Sequence, residues 1–187
     1  MSDVIPHGTS ETRDGGVHLL HFELRLPHPV IRTWAAVATP EGLPTWLAGA
    51  DVLEPRIGGA VALHWLNADA EGRHTVAEGT VTAWDMERVA EYTVSVHGRI
   101  RFHLERYGAD GTAGTTLRFT NEFRGTDELR LDNLAGWHHH FELLAAALEG
   151  RPMTGADWDA WTPDRWEQLR SQYAAVEYGG HSGPAGD

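Results

Sequence analysis

The 187-residue chain contains no cysteine and no lysine. The first absence removes disulfides, thiolate zinc ligands and a cysteine nucleophile together, and is compatible with a reducing compartment. The second leaves arginine as the only strongly basic side chain, which rules out Schiff-base chemistry and a phosphate-gripping P-loop lysine. Positive charge of any kind is scarce: 15 basic residues against 27 acidic ones give a net charge of −12. A phosphate backbone or an anionic membrane is repelled by such a surface, so neither nucleic acid nor membrane is expected as a partner. Long apolar runs are missing too, with nothing near the roughly 20 residues that cross a bilayer. The opening MSDVIPHGTSETRDGG has neither the apolar core nor the arginine-rich start of a targeting segment, and a cytoplasmic protein is expected. No G-x-S-x-G elbow, H-E-x-x-H helix, G-x-G-x-x-G loop or recognisable carboxylate pair occurs, which removes support for a serine hydrolase, zinc protease, dinucleotide enzyme or glycosidase.

What is present has the balance of one globular domain, 41% apolar and 22% charged. Residues 1–15 and 179–187 are rich in Gly, Ser, Pro and Asp and can bury too little to offset their ordering entropy, so both ends are expected to be flexible. In VHLLHFELRLP, Leu20, Phe22, Leu24 and Leu26 alternate with His21, Glu23 and Arg25, the period of a half-buried strand. Val30, Trp34 and Val37 then recur at helical spacing, and TPEGLPTWL promises a second short helix with Thr39 as its cap and Pro40 at its first position. From Asp51 to Phe123, DVLEPRIGG, AVALHWLN, HTVAEGTVTAW, RVAEYTVSV, IRFHLERY and TTLRFTNEF are extended stretches divided by turn residues. The segment from Glu128 to Glu149 is helical in period and stops at Gly150 and Pro152. This order makes an α+β fold, a curved antiparallel sheet of about seven strands wrapped on a long C-terminal helix.

The ordered set VIRTWAAVATPEGLPTWL, EPRIGGAVAL, GTVTAW, TTLRFTNEF and AGWHHHFELLAAALEG resembles the START-like (SRPBCC) superfamily, in the branch of the activator of heat-shock ATPase homologues. The resemblance implies a helix-grip domain at residues 16–150, with an apolar cavity between sheet and long helix. It also implies members that bind hydrophobic small molecules or, in some branches, cyclise and dehydrate polyketides. Trp46, Gly58, Gly59, Gly79, Thr116 and Trp137 match it as scaffold, and it supplies no catalytic motif. Related chains often carry histidine where this one has Asn121, as the resemblance suggests, which weakens chemistry that needs a base there. A chaperone ATPase-stimulating module is a further reading, although single-domain members lack the docking domain that the resemblance implies for true activators.

The triplet His138, His139 and His140 is the obvious candidate for metal binding. Consecutive helical residues diverge by about 100°, so His138 and His140 cannot share an ion, and no metal or cofactor is expected. One border histidine, His138, and two solvated neighbours are expected instead. The ligand-binding set is Trp65, Tyr92, Phe102, Phe119, Asn121, Phe123, Trp137, His138 and Phe141: aromatic side chains on one concave face, with Tyr92, Asn121 and His138 to orient a bound molecule. No catalytic residue is assigned, and a cyclase or dehydratase is the enzymatic alternative to a binding protein. Beyond the domain, residues 151–178 form an extension with Trp166, Leu169, Tyr173 and Val176 on one helical stripe. That stripe needs a surface, with Leu143 and Ala147 as candidates, in a monomer or homodimer.

Overall fold

The computed structural model of the chain describes residues 5–69, 71–108 and 114–179. Its strands are β1 (Thr9–Arg13), β2 (Val17–Leu26), β3 (Ala48–Leu53), β4 (Ala60–Trp65), β5 (Val76–Asp85), β6 (Val89–Val94), β7 (Gly98–Tyr107) and β8 (Gly114–Arg124). Helix α1 (Val30–Ala38) follows β2, and α2 (Asp127–Leu148), α3 (Gly155–Asp159) and α4 (Asp164–Gly179) close the chain. The strands form one antiparallel sheet in the order β1-β2-β8-β7-β6-β5-β4-β3, with α2 against its concave face in the helix-grip arrangement.

Alternation explains which face is buried. On β7, Ile100, Phe102 and Leu104 point inward while Arg99 and Arg101 stay outside, and the register places Phe102 beside Phe119, which in turn lies beside Phe22. Helix α2 starts at Thr126, whose hydroxyl accepts from the Leu129 amide, and ends where Gly150 takes a φ of +88°, a conformation costly for a residue with a Cβ. The short second helix expected after Thr39 is reduced to one 3-10 turn, Leu43–Thr45. Thr39 caps the bend before it by accepting from the Gly42 amide.

The eighth strand lies in the segment expected to be loose. TSETR has no apolar face of its own, yet the edge of β2 offers it a ladder of backbone partners from Thr9↔His21 to Arg13↔Val17. At the other edge, β3 is interrupted by a register shift between Ala50 and Val52. Most of the expected C-terminal tail lies outside the described residues.

The extension folds back on its own domain. Trp158 of α3 donates its indole N–H to the Pro44 carbonyl, and Leu169 and Tyr173 of α4 are buried while Val176 is exposed. Leu143 and Ala147 are partly buried against the core, and the stripe of α2 bonded to α4 is a polar one. It runs through Glu128, Asp132, His138 and Glu142, reached by Arg170, Trp166, Tyr173 and Arg165. Those polar positions drew α4 through hydrogen bonds and ion pairs that an apolar wheel does not register.

Candidate functional site

Most of the aromatic residues expected to line a ligand site pack on one another. Phe102, Phe119 and Phe141 are fully buried, and the Phe119 ring centroid lies 4.4 Å from Trp137, 5.0 Å from Phe141 and 5.3 Å from Phe102. These are the tilted and edge-on contacts of a filled aromatic core. Tyr92 closes it on one side by donating to the Val37 carbonyl at 3.1 Å, and burial raises its phenol above the usual range. Phe123 lies at the far end of β8 against His18. Asn121 donates to the carbonyls of His97 and Arg99 and accepts the Trp137 indole N–H at 3.0 Å, which satisfies its buried amide.

His138 lies under the extension. Its Nδ1 is 2.8 Å from the Tyr173 hydroxyl, which accepts from the Gly8 amide, and its Nε2 is 3.7 Å from Glu142. Burial pushes the imidazole down to about 4, so it is neutral and the hydroxyl can donate to it. His140 is also buried rather than solvated, because α3 and the turn at Trp46 cover the side of α2 that a bare helix would expose. Its Nδ1 stands 2.9 Å from the Trp46 carbonyl. A carbonyl only accepts, so Nδ1 carries the proton and Nε2 keeps a lone pair. Desolvation holds this ring down to about 3. Among the described residues, no group of three histidines or carboxylates converges as a metal site.

Two residues of the expected set, Trp65 and Trp137, reach open space. They line a cleft of about 570 Å³ at one end of the sheet, together with Trp161 and Trp166 from the extension. Helix α2 supplies His139 and His140, the β4–β5 connection supplies Asn67 and Asp69, and the β6–β7 turn supplies His97. His97 stacks on Trp65 with ring centroids 4.0 Å apart. Its Nε2, like Asn67 Oδ1, is enclosed without a hydrogen-bond partner, and burial pushes the imidazole down to about 4. The backbone that presents it is strained. Val96 has a φ of +67°, and the His97 amide donates to Ser95 O at 2.7 Å, which makes a classic γ-turn centred on a β-branched residue. Such strain persists only where neighbouring contacts hold it, here the Asn121 bonds to the carbonyls on either side of Gly98.

Residues 27–149 match the family described as Activator of Hsp90 ATPase homolog 1-like protein. The chain belongs to that family. None of the curated proteins matches the sequence. Among solved structures of the same fold is a conserved protein of unknown function, EF2215 from Enterococcus faecalis, with 13% identity and a TM-score of 0.63 over 92% of this chain and 91% of that one. CalU16 from Micromonospora echinospora gives 18% identity and 0.61 over 90% and 94%. The protein encoded by BPP1335 from Bordetella parapertussis gives 26% identity and 0.61 over 93% of each chain. The match to this Hsp90 ATPase activator-like family ends at residue 149, so Trp161 and Trp166 of the cleft are contributed by sequence beyond it.

Sequence reasoning missed His97, Asn67, Trp161 and the cleft role of His140. His97 occupies a turn, where no periodicity marks a side chain as inward, and its one signal was the SVHG turn itself. Trp161 sits in the α3–α4 connection, and its aromatic excess was visible without its destination.

Proposed function

We propose that the protein binds an aromatic or hydrophobic small molecule in the cleft between the end of the sheet and the long helix. One observation carries this reading: four tryptophans, two from the domain and two from the extension, wall a space of about 570 Å³. Specific ligand pockets have this size and this mixture of apolar walls with a few placed polar groups. Aromatic side chains that merely filled a core would have closed on one another, as Phe102, Phe119 and Phe141 do. Titration of the tryptophan fluorescence with 2-methoxynaphthalene, an uncharged aromatic probe, tests the site. Saturable quenching, weakened in Trp161→Ala, is expected, together with a co-purifying ligand in native mass spectrometry. Absence of quenching by any aromatic probe overturns the reading.

A cyclase or dehydratase-type enzyme on the same fold is a second reading, favoured only by the placement of three imidazoles, His97, His139 and His140, on the cleft wall; burial holds His97 and His140 down to about 4 and about 3, well below the range in which an imidazole exchanges protons best at pH 7. Turnover of a polyketide-like substrate that falls in His97→Phe by far more than its binding does distinguishes it. Stimulation of a chaperone ATPase is the third. An ATPase assay of Hsp90 with this chain in excess is expected to show no acceleration.

A further inference from the structure

We infer that the ligand of this cleft is an aromatic molecule without negative charge that offers an O–H or N–H donor to the acceptor atoms of its polar wall. The inference rests on the reading of the cleft as a ligand site and narrows the class of molecule it takes.

Charge comes first. The ionisable residues around the cleft are Asp69, Asp132, Glu167 and histidines, and no arginine is among its lining residues. Arg73 and Arg170 do touch Asp69 and Asp132, but each is engaged by a carboxylate and is not part of the wall. The amino end of α4 lies at the rim, where a helix dipole could attract an anion. Asp164 and Glu167 in its first turn already satisfy that end. A ligand carboxylate or phosphate entering here would lose its hydration and meet no cation, a cost that aromatic contact does not recover.

The polar inventory is the second observation: beside donors such as Thr75 and Asn133, it holds acceptors that no donor among the described residues reaches. His140 donates Nδ1–H to Trp46 O, so its Nε2 is an acceptor in the only tautomer that bond permits. Asn67 Oδ1 is an enclosed acceptor with no partner. His97 Nε2 is likewise enclosed and unpaired, and because burial holds the ring down to about 4 it is neutral, with Nε2 an acceptor in the Nδ1–H tautomer. Buried acceptors left open are unfavourable, and a ligand donor that meets one of them as its side chain turns toward the cleft relieves that deficit in addition to stacking on the tryptophans. A ligand bearing only acceptors gains the stacking and leaves the deficit in place.

A matched set of naphthalenes on the wild-type chain tests the inference by isothermal calorimetry: 2-naphthol, 2-methoxynaphthalene and 2-naphthoate share one ring system and differ in donor and charge. We expect 2-naphthol to bind about tenfold more tightly than 2-methoxynaphthalene, the effect of one buried hydrogen bond, and 2-naphthoate to bind more weakly than both. Binding of 2-methoxynaphthalene with no preference for 2-naphthol, or equal binding of 2-naphthoate, overturns this inference and leaves the ligand-site reading standing. Failure of all three to bind overturns both. His97→Phe and Asn67→Leu then locate the acceptor. Imidazole nitrogen NMR shifts of the wild-type chain, with 2-naphthol and 2-methoxynaphthalene compared, report on His140 without disturbing its buried ring. A donor preference that survives in both variants with no imidazole shift specific to 2-naphthol refutes the assignment to this polar wall.

Discussion

The centre of the concave face and the cleft at its end are built from the same kind of residue and come out differently. In the centre, Phe102, Phe119, Phe141 and Trp46 project from opposing strands, helix and turn, and their rings meet at centroid distances of 5.0 to 6.0 Å. At the end, Trp166 is tied by its indole N–H to Asp132 O, and Trp161 stacks on His139 at 6.2 Å rather than on another tryptophan. Aromatic richness therefore does not decide between core and pocket. What decides is whether the supporting elements face each other closely enough for rings to interdigitate. Around the cleft they are a helix flank, two hairpin ends and a connection between helices, which leave a gap.

Breaking the comparison from the outside has the largest effect. Removal of everything after Gly155 strips Trp158, Leu169 and Tyr173 from their sites, each worth about 1.5–3 kcal/mol when fully buried, and uncovers His138 and His140. We expect a sharp fall in melting temperature and concentration-dependent aggregation by light scattering; a monomeric truncation with the parental melting temperature would make the extension an appendage. Next comes Phe119→Ala in the filled centre, expected to cost about 3–5 kcal/mol in urea unfolding because the surrounding rings cannot collapse into the space.

Acidification sharpens the contrast between wall and core histidines and exposed ones. His97, His138 and His140 sit below the ordinary value of 6.5, at about 4, about 4 and about 3. Below 6.5 the unfolded chain takes up protons that the folded chain refuses, so stability falls as pH falls through that window and is insensitive to these groups above it. Each contributes a slope of up to about 1.4 kcal/mol per pH unit. Urea midpoints measured at about pH 7.5, 6 and 5 should decline in that order, and His138→Gln should flatten the decline. Smallest in stability is Trp161→Ala, expected to cost under about 1 kcal/mol because the side chain is only half-buried. Its effect should appear in aromatic-probe affinity, about tenfold weaker by fluorescence titration. An inverse result, with stability lost and affinity intact, would make the cleft wall plain core.

The sequence revealed most of the framework because the framework is periodic. Leu20, Phe22, Leu24 and Leu26 mark β2 by alternation, and Leu134, Trp137, Phe141, Leu144 and Leu148 mark the buried side of α2. β1 was illegible because TSETR pairs through its backbone and carries no apolar signature. The burial of His140 was illegible for another reason: a helical wheel knows one partner surface, and α2 has two. The site was harder still. Trp65 and Trp137 could be named from their aromatic character, but the cleft joins them to His97 and Asn67 from turns and Trp161 from a connection, positions set by where strands end rather than by repeating pattern.

The sheet remains open, and its two borders are dressed differently from its interior. β1 presents threonine, serine, glutamate and arginine, while β3 is bent by its irregular register at Ala50 and Val52 and carries exposed Asp51 between them. A free strand with straight, apolar backbone is a template on which another chain can add, as in fibrils and swapped dimers. Here one border offers charge and the other a kink, two features that disfavour lateral addition of a further strand to this sheet.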